Sequence, residues 1–100
     1  MASVRWSSGA VDDLTAIGTY FERASPPYAR SIVARLYSAP EMLADHPLSG
    51  RAVPEIRVEH IREIGREGYR IVYTVSGDTV DVPAVLHGRQ DIGRSLRRDS

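Results

Sequence analysis

Arginine and histidine are residue types that can hold a phosphate and move a proton. The stretch EGYRIVYTVSGDTVDVPAVLHGRQD, residues 67–91, carries one of each near its ends. Arg70 interrupts the apolar run YRIVYTV and His87 closes the run TVDVPAVLH. A guanidinium beside an imidazole could fix a phosphate while the ring handles a proton, which is what RNA cleavage needs. Whether the two meet depends on strand pairing, because successive side chains on a strand point to opposite faces. Setting Val75 opposite Val80 across SGDT places Tyr73 against Val82, Ile71 against Ala84 and Tyr69 against Leu86. One face is then wholly apolar, as a sheet packed on helices requires. The other carries Arg70, Val72 and Thr74 against Val85, Pro83 and Asp81, with His87 diagonal to Arg70 at about 7 Å. This register predicts Arg70 and His87 together on an uncovered face, where they either form a site or solvate the open side of the sheet.

The elements that must position this pair follow from periodicity and caps. VRW, residues 4–6, is a short opening strand. Ser7 or Ser8 caps a helix carrying Asp12 and Asp13 in its first turn, with Ala10, Leu14, Ile17 and Phe21 as its apolar stripe and an end near Arg23. Ser25 and Pro26 start a second helix through Ala29, Ile32, Val33 and Leu36. Ser38 and Glu41 have capping-box spacing, which predicts a third short segment over 39–45. DHPLSGRAVPE reads as loop, followed by strands VEHIREI, YRIVYTV and TVDVPAVLH. In VEHIREI, Ile61 has opposite parity to Val58 and Ile64, so the face of Arg62 and Glu63 is open. Pro83 cannot donate to a ladder and marks an edge or a bulge in the last strand. Together these give an α+β domain: an α-helical hairpin on one face of an antiparallel sheet.

The chain has 100 residues, enough for one domain; residues 1–92 read as that domain and 93–100 as an arginine-rich tail. There is no cysteine, so disulfides and thiolate metal sites are excluded, and the histidines at 46, 60 and 87 lack close metal-ligand spacing. No metal or cofactor is expected. With no long apolar run and no signal-like N-terminus, the chain is expected to be cytoplasmic and free of membrane. Thirteen basic residues, all arginine, balance thirteen acidic ones. That neutrality speaks against non-specific nucleic-acid binding as the main activity.

The helical hairpin followed by HPLSGRAVPEIR, IREI, YRIVYTV and VLHGRQDI resembles the RelE/ParE superfamily of type II toxin–antitoxin toxins, and its ParE branch most closely. The likeness spans about residues 6–92 and rests on three motifs taken together: P-x-x-G-R-x-V-P-E, R-E-I…Y-R-I-x-Y and V-L-H-G-R-x-D. It implies a β-α-α-β-β-β fold and a cognate antitoxin of the ribbon-helix-helix ParD type, wrapping a helical C-terminal part around the toxin. ParE-like members poison DNA gyrase, whereas RelE-like members cut mRNA in the ribosomal A site, and fold does not decide between them. On the RelE side, the resemblance makes Arg70 a phosphate-binding arginine, His87 a proton-transfer group and Glu55 a loose counterpart of an acidic residue. On the ParE side, Arg62, Arg89 and Arg94 are the candidate target contacts. Tyr20 and Tyr28 on the helical hairpin are the candidate antitoxin contacts. A neutral charge, the absence of lysine and the extension beyond His87 favour the ParE-like side. Pro40 and Pro83 depart from the family pattern. A third possibility is an inactive homologue that only binds its antitoxin and co-represses their operon.

Overall fold

In the computed structural model, which describes residues 2–90, strand β1 (Ser3–Trp6) turns directly into helix α1 (Ser8–Glu22). Ser7 forms the corner: its Oγ accepts the Ala10 N–H at 3.0 Å, satisfying one orphan donor of the helix start. Asp12 and Asp13 do not lie in the first turn as expected, because the helix begins at Ser8 and they fall one turn later. Asp13 is used elsewhere: its Oδ2 accepts the Val85 N–H of the sheet at 2.8 Å. Helix α2 (Pro26–Ser38) starts as the sequence indicates, with Ser25 capping Tyr28 N–H and Pro26 in the first turn. A 3-10 helix, Ala39–Ala44, follows without a break. The capping box expected of Ser38 and Glu41 does not form. Ser38 keeps helical backbone angles rather than the extended ones a cap needs, and its hydroxyl donates back to the Arg35 carbonyl.

The remaining strands are β2 (Arg51–Ala52), β3 (Ile61–Arg66), β4 (Tyr69–Ser76) and β5 (Thr79–His87). They form one sheet in the order β1-β5-β4-β3-β2, with β1 parallel to β5 and every other pairing antiparallel. The α+β class and the element order expected from the sequence hold, with a two-residue β2 added inside the stretch that reads as loop. Turn chemistry explains the hairpins. Glu67 and Gly68 both take positive φ between β3 and β4, as a two-residue primed turn demands, and Gly77 does so between β4 and β5.

The β4–β5 register is the expected one only at its turn end. Ser76, Val75 and Thr74 face Thr79, Val80 and Asp81, after which Val72 faces Ala84, Ile71 faces Val85, Arg70 faces Leu86 and Tyr69 faces His87. Tyr73 alone spans Val82 and Pro83, so β5 holds one extra residue: a β-bulge at the proline. β5 lies between β1 and β4, and β1 pairs with it only over Thr79–Val82, so the proline follows the last paired residue on that side. Side chains secure the bulged backbone, Ser7 Oγ donating to the Pro83 carbonyl at 3.2 Å and Asp13 accepting from Val85. The bulge inverts the parity of β5, so that Val80 and Val82 join the helix-facing core and so does Val85, three residues on.

Each sheet face has its own core. On the helix side, Leu14, Ile17, Ile32, Leu36 and Leu43 pack on Ile64, Ile71, Tyr73, Val80, Val82 and Val85. On the other side, Val72, Ala84 and Leu86 pack with Val53, Ile56 and Ile61. The face expected to be open is therefore partly covered by the segment that carries Val53 and Ile56 out of β2. The contrary parities of Ile61 and Ile64 also resolve: each serves a different core. Among the described residues no helix is long and apolar enough to cross a membrane.

Candidate functional site

Arg70 lies where β4 passes under the segment leaving β2, and it is almost fully engaged. Its Nε and Nη2 donate to Glu63 Oε1 at 3.0 and 2.6 Å. Its Nη1 and Nη2 grip the two oxygens of Glu55, each at 2.7 Å. A guanidinium has five N–H donors in a fixed fork, so this geometry occupies four of them. Glu63, only 3% exposed, takes Arg51 on its other oxygen, from Nε at 2.8 Å and Nη2 at 2.7 Å. The result is a chain of alternating charge, Arg51–Glu63–Arg70–Glu55, with no net charge. It clasps the covering segment to the sheet. The Arg70 guanidinium holds the Glu55 carboxyl down to about 2, and the two carboxylates push the Arg70 pKa above its ordinary value. Glu55 thus does sit beside Arg70, in the role of its counter-ion.

His87 is on the opposite side of the sheet from Arg70. Its direct partner is Tyr69, the two rings meeting edge to face with centroids 5.9 Å apart. The expected pairing of Arg70 with His87 on one face is overturned by the bulge at Pro83, which turns His87 over relative to the strand start. His87 instead lines a cleft of about 470 Å³ with Tyr20, Phe21, Glu67, Gly68 and Tyr69. Burial raises the Tyr69 pKa, and the nearby phenols of Tyr20 and Tyr28 add to that rise.

The other candidates are dispersed. Arg62 is on the helix-facing side of β3, where its Nη1 donates to the carbonyl of Gly50 at 2.8 Å, and its Nε is buried with no hydrogen-bond partner among the described residues. Arg89 is exposed just past the end of β5. Arg94 lies outside the described residues, as does the tail 93–100. Tyr20 and Tyr28 are 71% and 43% exposed and both touch Phe21, edge to face. A second, mainly apolar groove of about 460 Å³ runs along the helical hairpin between Gly18, Glu22, Ala29, Val33 and Tyr37. Helices α1 and α2 come close there: a Cβ on Gly18 would stand 3.2 Å from Val33 Cγ2. Tyr37 is 55% exposed and stacks on Trp6 at 5.2 Å, so its ring is a surface element.

Sequence reasoning passed over Glu63, Arg51, Glu67 and Tyr69. The signal for Glu63 was the parity conflict around it: Ile61 and Ile64 point to opposite faces, so both faces carry apolar side chains, and a carboxylate buried among them needs a cation. Glu67 and Tyr69 give no such signal, because only the bulge brings β5 round to meet them.

The family profile described as "ParE toxin of type II toxin-antitoxin system, parDE" matches residues 4–92. The chain is 36% identical over 89 residues to the Sinorhizobium fredii protein Y4kP, covering 87% of this chain and 88% of that one. It is 34% identical to toxin ParE1 of Mycobacterium tuberculosis, covering 76% and 78%. It is also 34% identical to toxin RelE2 of Caulobacter vibrioides, covering 87% and 96%. Among solved structures, a chain of the chromosomal ParDE toxin–antitoxin system from P. aeruginosa superposes with a TM-score of 0.74 at 21% identity, covering 87% of this chain and 96% of that one. The toxin–antitoxin complex RelBE2 of M. tuberculosis matches more loosely, with a TM-score of 0.53.

Proposed function

The chain belongs to the ParE toxin family of type II toxin–antitoxin systems, and on that premise we propose that it arrests growth by binding DNA gyrase rather than by cutting RNA. The observation that carries this reading is the state of Arg70. A scissile phosphate would have to displace Glu55 and then sit beside Glu63, two carboxylates already within 3.0 Å of the guanidinium. Like charges at such separations are strongly unfavourable in a partly buried site. The proton-transfer group would have to come within hydrogen-bond reach of the same phosphate, yet His87 is on the other face of the sheet. What is left is the equipment of a binding protein: exposed tyrosines on the hairpin, an apolar groove along it, and a net charge of zero.

The target is taken to be gyrase, in the cytoplasm, because that is what the ParE-like motif set implies. The proposed partner is a ParD-like antitoxin of ribbon-helix-helix type, laying an amphipathic helix along the groove between α1 and α2. The test is a supercoiling assay with purified gyrase and excess chain, run with and without the antitoxin encoded beside it. Loss of supercoiling that the antitoxin restores is the expected result. Unchanged supercoiling, together with new A-site cuts on translated mRNA, would replace this reading with the ribonuclease one.

A further inference from the structure

The cleft beside His87 is separate from the groove assigned to the antitoxin helix. Its walls are two perpendicular aromatic pairs, Tyr69 with His87 and Tyr20 with Phe21, whose centroids are 5.9 and 4.9 Å apart. Its rim carries Glu67, held in the β3–β4 turn at positive φ. Arg35 of α2 approaches this carboxylate and places both its bonds on one oxygen, Nε and Nη2 reaching Oε1 at 3.0 and 2.7 Å. Oε2 receives no hydrogen bond among the described residues. Gly68 adjoins it at φ 81, and a Cβ there would meet nothing within 4 Å, so the rim is open.

We propose that this cleft receives an arginine side chain presented by a protein partner, its guanidinium lying among the rings of Tyr20, Tyr69 and His87 and donating to Glu67 Oε2. The chain already contains the same arrangement once. The Arg35 guanidinium lies 5.9 Å from the Tyr28 ring centroid while it holds Glu67, so a cation between a ring and this carboxylate is an arrangement that this corner of the fold already holds. Aromatic faces attract cations electrostatically. A planar, weakly hydrated guanidinium suits a ring-lined cleft better than an ammonium does. A purely apolar side chain would fill the volume but would desolvate Oε2 with no donor in exchange, which is unfavourable. Arg35 neutralises much of the Glu67 charge, so the rings must contribute a large share of the attraction, and Tyr20 is the ring to remove.

The probe is N-acetylarginine amide, titrated into the full-length chain while the aromatic proton resonances of Tyr20, Tyr69 and His87 are followed by NMR. Saturable shifts at these rings are expected, with little response to N-acetylnorleucine amide, an uncharged and shorter straight-chain probe. Tyr20 is exposed, so Tyr20→Ala leaves the core untouched; it should weaken binding by about fivefold, with Tyr20→Phe close to the parent. Glu67→Gln should weaken it further. Equal shifts with the norleucine probe, or an affinity indifferent to Tyr20→Ala and Glu67→Gln, would overturn the assignment. If binding appears only after Arg94, Arg97 and Arg98 are replaced together by glutamine, the occupant is the chain's own C-terminal segment and the assignment to a partner fails.

Discussion

Replacing Arg70 separates a clasp from a catalytic role, because the two make opposite demands on stability. Arg70→Met keeps the length of the stem but removes the fork. Glu55, whose side chain is 44% exposed, can then turn to water at little cost. Glu63 cannot: its side chain is 3% exposed, and it would keep only Arg51 as partner. Breaking a buried pair by removing one member costs about 3–5 kcal/mol. Since Arg51 still offers two contacts to the other oxygen, about 2–3 kcal/mol is the reasonable figure, the penalty of one buried and poorly satisfied carboxylate oxygen. For a domain of this size that lowers the melting temperature by roughly 8–24 °C. The assay is urea unfolding followed by Trp6 fluorescence and circular dichroism, on the parent, Arg70→Met, Glu63→Gln and the double variant. If the clasp reading holds, Glu63→Gln in the Arg70→Met background recovers part of the loss, with a coupling of about 1–3 kcal/mol. A fully stable Arg70→Met protein, or single and double effects that add to within about 0.5 kcal/mol, would refute it. Toxicity gives a second reading: if Arg70 works only as a clasp, growth arrest in these variants tracks the folded fraction.

Glu55 should leave a signature in acid. Its folded carboxyl titrates near 2 and its unfolded one near the ordinary 4.5, so its contribution is complete above about 4.5 and is lost as pH falls toward 2. The stability gap between the parent and Glu55→Gln, read from urea midpoints at pH 6, 4 and 3, should therefore narrow across that window. Tyr73→Phe removes the hydroxyl that accepts the buried Gly50 N–H at 2.9 Å. It should cost about 1–3 kcal/mol by thermal melting. Gly50→Ala should be no milder, since a Cβ there would stand 2.6 Å from the Glu63 carbonyl oxygen and 2.5 Å from Tyr73 Oη, and the first of these is backbone that cannot swing aside. Arg57 is held at φ 57 in the covering segment; Arg57→Gly should be neutral or stabilising by up to about 1 kcal/mol in the same melts.

How much of this could be read from the chain depends on the range of the determinant. The helix starts were legible because Ser7, Ser25 and Pro26 act on groups two or three residues away. The Val75–Val80 pairing was legible because a tight turn fixes its nearest neighbours. Beyond that, the register rested on alternation, and alternation fails where a residue is inserted. Pro83 announced the irregularity, but its type could not be chosen without Ser7 and Asp13, which lie more than 70 residues away in sequence and satisfy the bulged backbone. The parity conflict between Ile61 and Ile64 was a second visible signal. It meant two cores, and two cores meant that Glu63 was buried and had to be paired.

The bulge therefore has a functional consequence as well as a structural one. In an unbulged ladder Arg70 and His87 would share a face, and with Glu55 they would make a plausible phosphate site. One extra residue in β5 puts the imidazole among Tyr20 and Tyr69 on the helix side, and leaves the guanidinium to Glu55 of the covering segment and Glu63 of β3. The bulge in this way divides residues that plain alternation would put on one face between two separate devices: a neutral clasp under the sheet and an aromatic cleft above it. Deleting Pro83 tests that reading. Without the extra residue Val82 can face Tyr73 while Ala84 keeps Val72 and Val85 keeps Ile71, so the ladder becomes regular with Val85 and His87 still on the helix side. The deletion variant should therefore fold in the same urea series and keep the ring contact of His87 with Tyr69, and its failure to fold would mean that the bulged backbone held by Ser7 and Asp13 is itself required.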